Sequence, residues 1–381
     1  MIDQTMAIAA SLWHVRWHTF PGWERDYVSK QLLAGVTTVE VPPRCRTQSG
    51  CQQEAQELLH VPGHRSSSLA NNSIAVFKSR QGSAVLNLAV IERYRTQRLR
   101  FAVLVLGDES MPQPCGAASS REEQHCEATS TSLVARPLRG SGVPARVLSC
   151  DERRARRLIR ERAPLLLRNY YDVGCAAAAN TLTLPLGSRA PPAGAAERRR
   201  GRRTYVWSFA STHATPLRST LVAALRRLGG AMEPSDVRFP GSATNYTGTL
   251  CASSLALTPS GNSADTWRFT EAMACGAVPV LDSAAYDYYS KWLPAQLLAL
   301  TVRISVNCAA GPGAGVGGSA GGDGGRCELT APAAELGALA RLVASPSRLE
   351  KRRLALVRAY EAWRDTTQQQ LRARLDALVV K

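Results

Sequence analysis

The stretch "ALTPSGNSADTWRFTEAMACGAVPVL", residues 256–281, decides the fold of this chain. An apolar run ends at Thr258, and the next four residues, PSGN, have the composition of a turn. The pattern that follows predicts a helix beginning near Ser263 and ending at Gly276, and the apolar run 277–281 then predicts a strand. Strand, glycine turn, helix and strand in this order indicate one repeat of a parallel α/β sheet.

The segment before this stretch has the same alternation. "TYVWSFA" (204–210) predicts a strand, and "TPLRSTLVAALRRLGG" (215–230) predicts a helix. Thr215 stands at its N-cap position, Pro216 at its first helical position, and its apolar stripe consists of Leu217, Leu221, Leu225 and Leu228. Two more helices are predicted near 332–344 and 346–378. The alternation predicts a doubly wound parallel sheet, whose ligands bind at the carboxyl ends of its strands.

The first half of the chain carries a second set of apolar runs. Residues 101–107, 164–169 and 181–187 predict buried strands, and residues 151–162 predict a basic helix between the first two. No element is predicted over 40–100, where the pattern is poorly periodic. "SRAPPAGAAERRRGRR" (188–203) has the composition of a linker, and 309–325 that of a glycine-rich loop. The sequence therefore predicts two domains, 1–187 and 204–381.

The composition limits the function classes. The 381 residues carry a formal net charge of +17, which fits either a solvated basic face or a phosphate-rich partner, such as a nucleic acid or a nucleotide-linked sugar. Nucleic acid is the less favoured of the two, because the basic clusters 152–162 and 196–203 contain few aromatic residues for base stacking. No signal peptide and no run long enough for a membrane helix is visible in the chain.

The ten cysteines show no metal-binding spacing. The pairs 45/51, 115/126 and 308/327 lie in turn-rich stretches and predict loop-closing disulfides of an oxidising compartment. Cys175 and Cys275 lie in apolar settings and are predicted to be buried thiols. The glycosylation triplets that begin at Asn71 and Asn245 fit the same compartment.

Arg268 and Glu271 carry the chemistry of the opening stretch. At i and i+3 they share one face of the predicted helix. A guanidinium donates two parallel bonds to phosphate oxygens, and a carboxylate accepts from paired ribose hydroxyls. The unpaired N–H groups at the start of the helix add an anion site. Together these groups indicate a cradle for a nucleoside diphosphate. The alternative is that the two side chains pair with each other on an exposed helix face.

The stretch 256–281 resembles the C-terminal signature of the exostosin family of glycosyltransferases, in which a strand, a Pro-x-Gly turn, an R-x-x-E-A helix and a G-x-V/I-P-V strand follow one another. "RTYVWSFASTHATPLRSTLVAAL" (203–225) resembles the segment that opens the family's second half. "VLVLGDE" (103–109), "LLLRNYY" (165–171) and "LTLPLGS" (182–188) resemble segments of its first half. Within the family the pieces are most similar to the ribitol xylosyltransferase branch.

The resemblance implies a GT-B glycosyltransferase, in which two Rossmann-like domains face an interdomain crevice. It implies an inverting transfer from a nucleotide sugar, with UDP-sugars favoured and UDP-xylose among them, to a glycan, glycoprotein or polyol-phosphate acceptor. It assigns donor binding to Arg218, Ser260, Gly261, Asn262, Arg268 and Glu271. We expect no cofactor and no metal, since no D-x-D triplet is present.

The proton acceptor of such a transfer has three candidates, Asp108, Glu109 and His213. Each has an ordinary alternative: Asp108 as a cap, Glu109 as a solvated side chain, and His213 as a structural residue. Asn169 and Tyr170 are candidates for the acceptor wall, or alternatively for the core. The family also implies a Golgi or other secretory location and association with other glycosyltransferases.

Three other functions stay open at this point. Glucuronosyl or galactosyl transfer would need the same fold. A catalytically inactive partner subunit is a second alternative, because Ser211 replaces a glycine of the family in the loop after the 204–210 strand. A basic nucleic-acid-binding protein is the third.

Overall fold

The computed structural model describes residues 12–18, 28–33, 36–41, 69–78, 84–106, 150–168, 178–185, 203–210, 215–227, 237–238, 246–260, 265–308 and 327–380. The chain divides into two compact units. Unit 1 comprises Met1–Pro185 and Thr367–Lys381, and unit 2 comprises Leu186–Thr366. The first boundary lies close to the predicted linker, 188–203. The sequence pattern assigned the C-terminal 15 residues, Thr367–Lys381, to the second domain, whereas they group with unit 1.

Unit 1 contains a six-stranded sheet in which every neighbouring pair is parallel. Its strands are β1 (Trp13–Trp17), β2 (Thr38–Val41), β3 (Ser73–Lys78), β4 (Phe101–Leu106), β5 (Leu166–Arg168) and β6 (Thr181–Thr183), in the order β2-β1-β3-β4-β5-β6. Helices α1 (Ala84–Thr96) and α2 (Cys150–Arg162) pack on it, and Val28–Leu32 forms a short π-helical turn. Three strands and the basic helix lie where the sequence predicts them, although the strand predicted over 181–187 ends at Thr183. The sequence pattern did not predict β3 and α1, which lie within 40–100.

Unit 2 contains a five-stranded sheet, again with all neighbouring pairs parallel. Its strands are β7 (Tyr205–Ala210), β8 (Val237–Arg238), β9 (Ser253–Leu257), β10 (Val278–Asp282) and β11 (Val302–Ile304). Their order is β11-β10-β9-β7-β8. Two short antiparallel strands, β12 (Val306–Cys308) and β13 (Cys327–Leu329), form a separate pair.

Seven helices complete the described part of unit 2, the last of them running on into unit 1. They are α3 (Pro216–Arg227), α4 (Tyr246–Cys251), α5 (Trp267–Cys275), α6 (Ser283–Tyr289), α7 (Ala295–Leu298), α8 (Pro332–Val343) and α9 (Pro346–Val380). Within the described ranges, no helix is both long and apolar enough to cross a bilayer.

Both faces of the unit 2 sheet are covered. On β9, Leu255 and Leu257 belong to the larger core with Phe269 and Met273 of α5, whereas Ala256 belongs to a smaller core with Ala272. Alternate residues of a strand point to opposite faces, so these two cores lie on the two sides of the sheet. Two parallel sheets with helices packed on them confirm the α/β class and the doubly wound units expected from the sequence.

Two predictions for this unit are wrong, and one is confirmed. The helix predicted to begin near Ser263 begins at Trp267, with Thr266 as an extended N-cap residue. Cys275 is not a thiol: it forms a disulfide with Cys251. The predicted disulfide between Cys308 and Cys327 is present and joins β12 to β13. Cys175 and the pairs 45/51 and 115/126 lie outside the described residues.

Candidate functional site

The strand order of unit 2 marks the place where a ligand is expected. β7 lies between β8 and β9, so the chain turns to one side after β7 and to the other side after β9. Doubly wound sheets bind ligands in the crevice at the carboxyl ends of the two strands where this reversal occurs. The residues to consider therefore follow Ala210 of β7 and Leu257 of β9.

Helix α3 brings Arg218 to this edge. The Thr215 Oγ1 accepts a hydrogen bond from the Arg218 N–H at 3.3 Å, which caps the first turn of the helix as the sequence predicts. Leu217 and Leu221 anchor the helix in the core. Arg218 lies in the first turn with 7 % of its surface exposed, so its guanidinium is held in place by its surroundings.

Helix α5 brings Arg268 to the same edge. The Arg268 Cζ lies 5.7 Å from the centroid of the Phe209 ring, which belongs to β7. A guanidinium at this distance from an aromatic ring is attracted by the negative face of the ring. The contact aligns an arginine that follows β9 with the carboxyl end of the neighbouring strand.

Arg218 and Arg268 are electrostatically coupled. Burial and the nearby positive charge of Arg268 lower the pKa of Arg218 to about 10. Two guanidinium groups that interact through space at a partly buried position are stabilised by an anion between them. This arrangement can bind a phosphate or diphosphate group.

Glu271 lies on the same helix as Arg268 and is 3 % exposed. Its Oε2 accepts a hydrogen bond of 2.7 Å from the Tyr246 hydroxyl at the start of α4. The Cys251–Cys275 disulfide joins the C-terminal ends of α4 and α5, so two links hold this pair of helices together. Glu271 is therefore a buried, positioned carboxylate and not an exposed side chain of a helix face.

The start of α5 differs from the predicted anion site. The Tyr289 hydroxyl donates to Asp265 Oδ1 at 2.6 Å and accepts from the Thr266 N–H at 3.1 Å. Burial and the Asp265 carboxylate raise the pKa of Tyr289 well above its usual value, so it stays a neutral donor. These contacts keep Asp265 and Thr266 out of the helix, which explains its late start.

Ser260, a predicted donor-binding residue, is directed toward protein. Its N–H donates to Asp282 Oδ2 at 2.6 Å, and its hydroxyl lies 2.9 Å from both carboxylate oxygens. Asp282 is the last residue of β10 and caps α6 by accepting from the N–H groups of Ala284 and Ala285.

The structure thus brings Arg218 of α3 and Arg268 of α5 to one edge of unit 2. Glu271 also lies on α5, and Ser260 follows β9. The other predicted site residues lie outside the described residues: Asp108, Glu109, Asn169, Tyr170, His213, Gly261 and Asn262, together with Ser211. Within the described part of the chain, no cluster of three or more His, Cys, Asp or Glu side chains could hold a metal ion.

Sequence reasoning missed Phe209, Tyr246, Asp265 and Asp282. The role of Asp282 as a helix cap could have been predicted, because an aspartate directly after an apolar strand and before Ser-Ala-Ala is a typical N-cap. No sequence pattern points to Tyr246 or Phe209, since each acts through a contact with a residue distant in sequence.

In unit 1, a histidine lies at the point where the strand order of that sheet reverses. His18 directly follows β1, and β1 lies between β2 and β3, where the strand order reverses. Its ring stacks on Phe77 with the centroids 5.2 Å apart, and its Nε2 lies 3.4 Å from the Tyr94 hydroxyl. Burial and the charge of Arg16 lower the pKa of His18 to about 4, so the imidazole is neutral at physiological pH.

Comparison with known proteins gives distant structural likeness only. No family model matches the chain, and no curated protein matches it. Among solved structures, the chain is similar to LpCGTa in complex with UDP, with a TM-score of 0.45 and 13 % identity over 96 % of this chain and 100 % of that one. It is also similar to WaaG, a glycosyltransferase involved in lipopolysaccharide biosynthesis, with a TM-score of 0.39 and 12 % identity over 92 % of this chain and 95 % of that one.

Proposed function

We propose that this protein is a glycosyltransferase that uses a nucleotide sugar, with UDP-sugars favoured, as its donor. The observation that carries the proposal is the pair formed by Arg218 and Arg268 at the reversal point of the unit 2 sheet. The resemblance of 203–225 and 256–281 to exostosin signatures supports it, because both arginines and Glu271 stand at positions of those signatures.

The diphosphate is the part of the donor that the two arginines would bind. In the transfer, the oxygen of an acceptor hydroxyl attacks the anomeric carbon while the bond between that carbon and the phosphate oxygen breaks. The bonding electrons leave with the nucleoside diphosphate, and the hydroxyl proton passes to a base. Guanidinium groups held in place beside the leaving diphosphate stabilise the charge that develops on it. Inversion at the anomeric carbon follows from a single attack of this kind.

Glu271 would bind the ribose of the donor. A carboxylate accepts hydrogen bonds from two neighbouring hydroxyls, and the Tyr246 hydroxyl holds one of its oxygens in a fixed position. Asp108, Glu109 and His213 remain the candidates for the base, and Asn169 and Tyr170 those for acceptor contact. The GT-B arrangement, the exostosin affiliation and metal independence belong to the same proposal, as does UDP-xylose as the first donor to test.

A secretory compartment such as the Golgi fits the disulfide chemistry. Cys251–Cys275 and Cys308–Cys327 are both bonded, and disulfides persist in oxidising compartments. The acceptor would then be a glycan, a glycoprotein or a polyol phosphate, and other glycosyltransferases are the expected protein partners.

Calorimetric titration with UDP, UDP-sugars and GDP-sugars in the presence of EDTA tests the proposal. We expect micromolar binding of one nucleotide sugar, and a loss of roughly 10- to 100-fold in Arg218→Ala and Arg268→Ala, because charge-assisted hydrogen bonds to the diphosphate are removed. Arg226→Ala is the matched control: Arg226 lies on α3 like Arg218, but it is exposed.

Three results would contradict parts of the proposal. Absence of nucleotide binding by folded protein removes the donor site, and salt-sensitive binding to DNA or RNA would then favour the nucleic-acid alternative. Nucleotide binding without transfer to any acceptor would indicate an inactive partner subunit. Equal losses in Arg226→Ala and Arg268→Ala would show that general charge, and not this pair, attracts the nucleotide.

A further inference from the structure

We infer that Asp282 is a positioning residue of the nucleotide site, which fixes the chain directly after β9 through Ser260. This inference rests on the proposed function, since it concerns how the same site holds a nucleoside diphosphate. Asp282 was not among the residues that the sequence predicted, and it lies on β10, outside the signature positions of Arg268 and Glu271.

The two oxygens of Asp282 have separate tasks. Oδ1 accepts from the N–H groups of Ala284 and Ala285, at 2.9 and 3.2 Å, and so caps α6. Oδ2 accepts from the Ser260 N–H at 2.6 Å, and the Ser260 hydroxyl bonds to both oxygens. With 2 % of its surface exposed, the carboxylate has its hydrogen-bonding capacity taken up by protein donors.

The chain after β9 is therefore tied to β10 at two successive points. The Thr258 N–H and hydroxyl both donate to the Val280 carbonyl, at 2.9 and 3.2 Å. Two residues later the Asp282 carboxylate takes the Ser260 N–H. Pro259 is buried between these two links. The bonds continue the attachment of β9 to β10 past the last strand residue, Leu257.

This attachment sets the direction in which the chain leaves the sheet at the reversal point. The same chain leads to α5, which carries Arg268. A donor site must keep its groups within a fraction of an ångström of the position that the ligand needs, and neighbouring residues that lock their geometry supply that precision. Asp282 supplies it at the point where the β9 chain enters the site, without contacting the ligand.

Asp282→Asn separates the two tasks. The Asn Oδ1 still accepts from Ala284 and Ala285, so α6 keeps its cap. The Nδ2 that replaces Oδ2 is a donor and cannot accept from the Ser260 N–H. We expect the affinity for UDP to fall about tenfold, while the affinity for uridine, which lacks the diphosphate, changes less than about twofold. The free energy of unfolding should fall, because the Ser260 N–H loses its acceptor, while the cap of α6 is kept.

Titrations of the wild type and of Asp282→Asn with UDP and with uridine decide the matter. A tenfold weaker UDP affinity at unchanged uridine affinity supports the inference. Unchanged UDP affinity overturns it, and so does an equal loss for both ligands, which would show a general structural role. If the wild type binds no UDP at all, the proposed function fails instead, so the two failures are distinguishable.

Ser260→Ala keeps the inference testable if Asp282→Asn does not fold. This variant removes only the hydroxyl and leaves both Asp282 and the cap of α6 in place. We expect UDP affinity to fall about threefold, with uridine affinity unchanged. Wild-type affinity for UDP in Ser260→Ala, or the same loss for uridine, would overturn the inference.

Discussion

Arg268 lies over the ring of Phe209, with its Cζ 5.7 Å from the ring centroid. Arg268 lies on α5, the helix that follows β9, and Phe209 lies near the carboxyl end of β7. The contact therefore connects the two strands between which the strand order reverses. The ring restricts the position of the guanidinium by a cation–π contact. If the proposed function holds, Phe209 contributes to nucleotide binding by holding Arg268 in place.

We expect Phe209→Leu to weaken UDP binding about two- to fivefold, because a contact of this kind contributes roughly 0.5–1 kcal/mol. Leucine keeps the position apolar, so the free energy of unfolding should fall by only about 1 kcal/mol. Phe101→Leu, a matched change in the core of unit 1, should lower stability to a similar extent and leave UDP affinity unchanged. The loss should disappear in an Arg268→Ala background, since the ring acts through Arg268. Additive losses would contradict this account.

Tyr246 should govern recognition of the ribose. Its hydroxyl donates to Glu271 Oε2 at 2.7 Å, and without that bond the carboxylate is less well placed to accept from ribose hydroxyls. We expect the wild type to prefer UDP over 2′-deoxy-UDP by roughly tenfold, and Tyr246→Phe to reduce this preference below about threefold. The measurement is the ratio of the two dissociation constants.

Tyr288→Phe is the control for this prediction. It also removes a tyrosine hydroxyl beside a buried carboxylate, but its partner is Asp265 and not Glu271. The preference for UDP over 2′-deoxy-UDP should remain in this variant. An unchanged preference in Tyr246→Phe would remove Glu271 from ribose recognition.

Local sequence patterns were sufficient for most of unit 2. The strands β7, β9 and β10 are short apolar runs between turn residues, and the start of α3 follows from Thr215 and Pro216. Cys308 and Cys327 flank a single glycine-rich stretch, so their pairing was visible in the sequence. In each case the determining residues lie within one segment.

The misses share a physical cause, which is contact between distant segments. Asp265 is drawn to Tyr289, 24 residues further on, and this delays the start of α5. Cys275 bonds to Cys251 across two helices, although each lies in an apolar run typical of a buried thiol. In β3, Ile74 to Phe77 are all buried, so the alternation expected of a half-exposed strand is absent. No local pattern contains these partners.

The two described disulfides allow a matched comparison. They close loops of similar length, with sequence separations of 24 and 19 residues, so the chain-entropy model gives both about 3 kcal/mol of stability. Only Cys251–Cys275 joins the helices that carry Tyr246 and Glu271. We expect Cys251→Ala/Cys275→Ala and Cys308→Ala/Cys327→Ala to lose similar stability in denaturant titrations, whereas only the first weakens UDP binding. Equal UDP affinity in the two double variants would show that the disulfide does not support the site.

His18 predicts how the stability of the protein depends on pH. Its folded-state pKa is about 4, whereas a histidine in an unfolded chain has a pKa near 6.5. Between these values the unfolded chain binds a proton that the folded chain does not bind, so protonation favours unfolding. The contribution of the neutral ring is fully present above about pH 6.5 and is lost as the pH falls toward 4.

Denaturant titrations at pH 7 and pH 4.5 measure this effect. We expect the wild type to lose roughly 2 kcal/mol more than His18→Gln over this interval, because glutamine does not titrate. If the wild type and His18→Gln lose stability in parallel, His18 is protonated in the folded protein. The contacts with Phe77 and Tyr94 would then not hold the ring neutral.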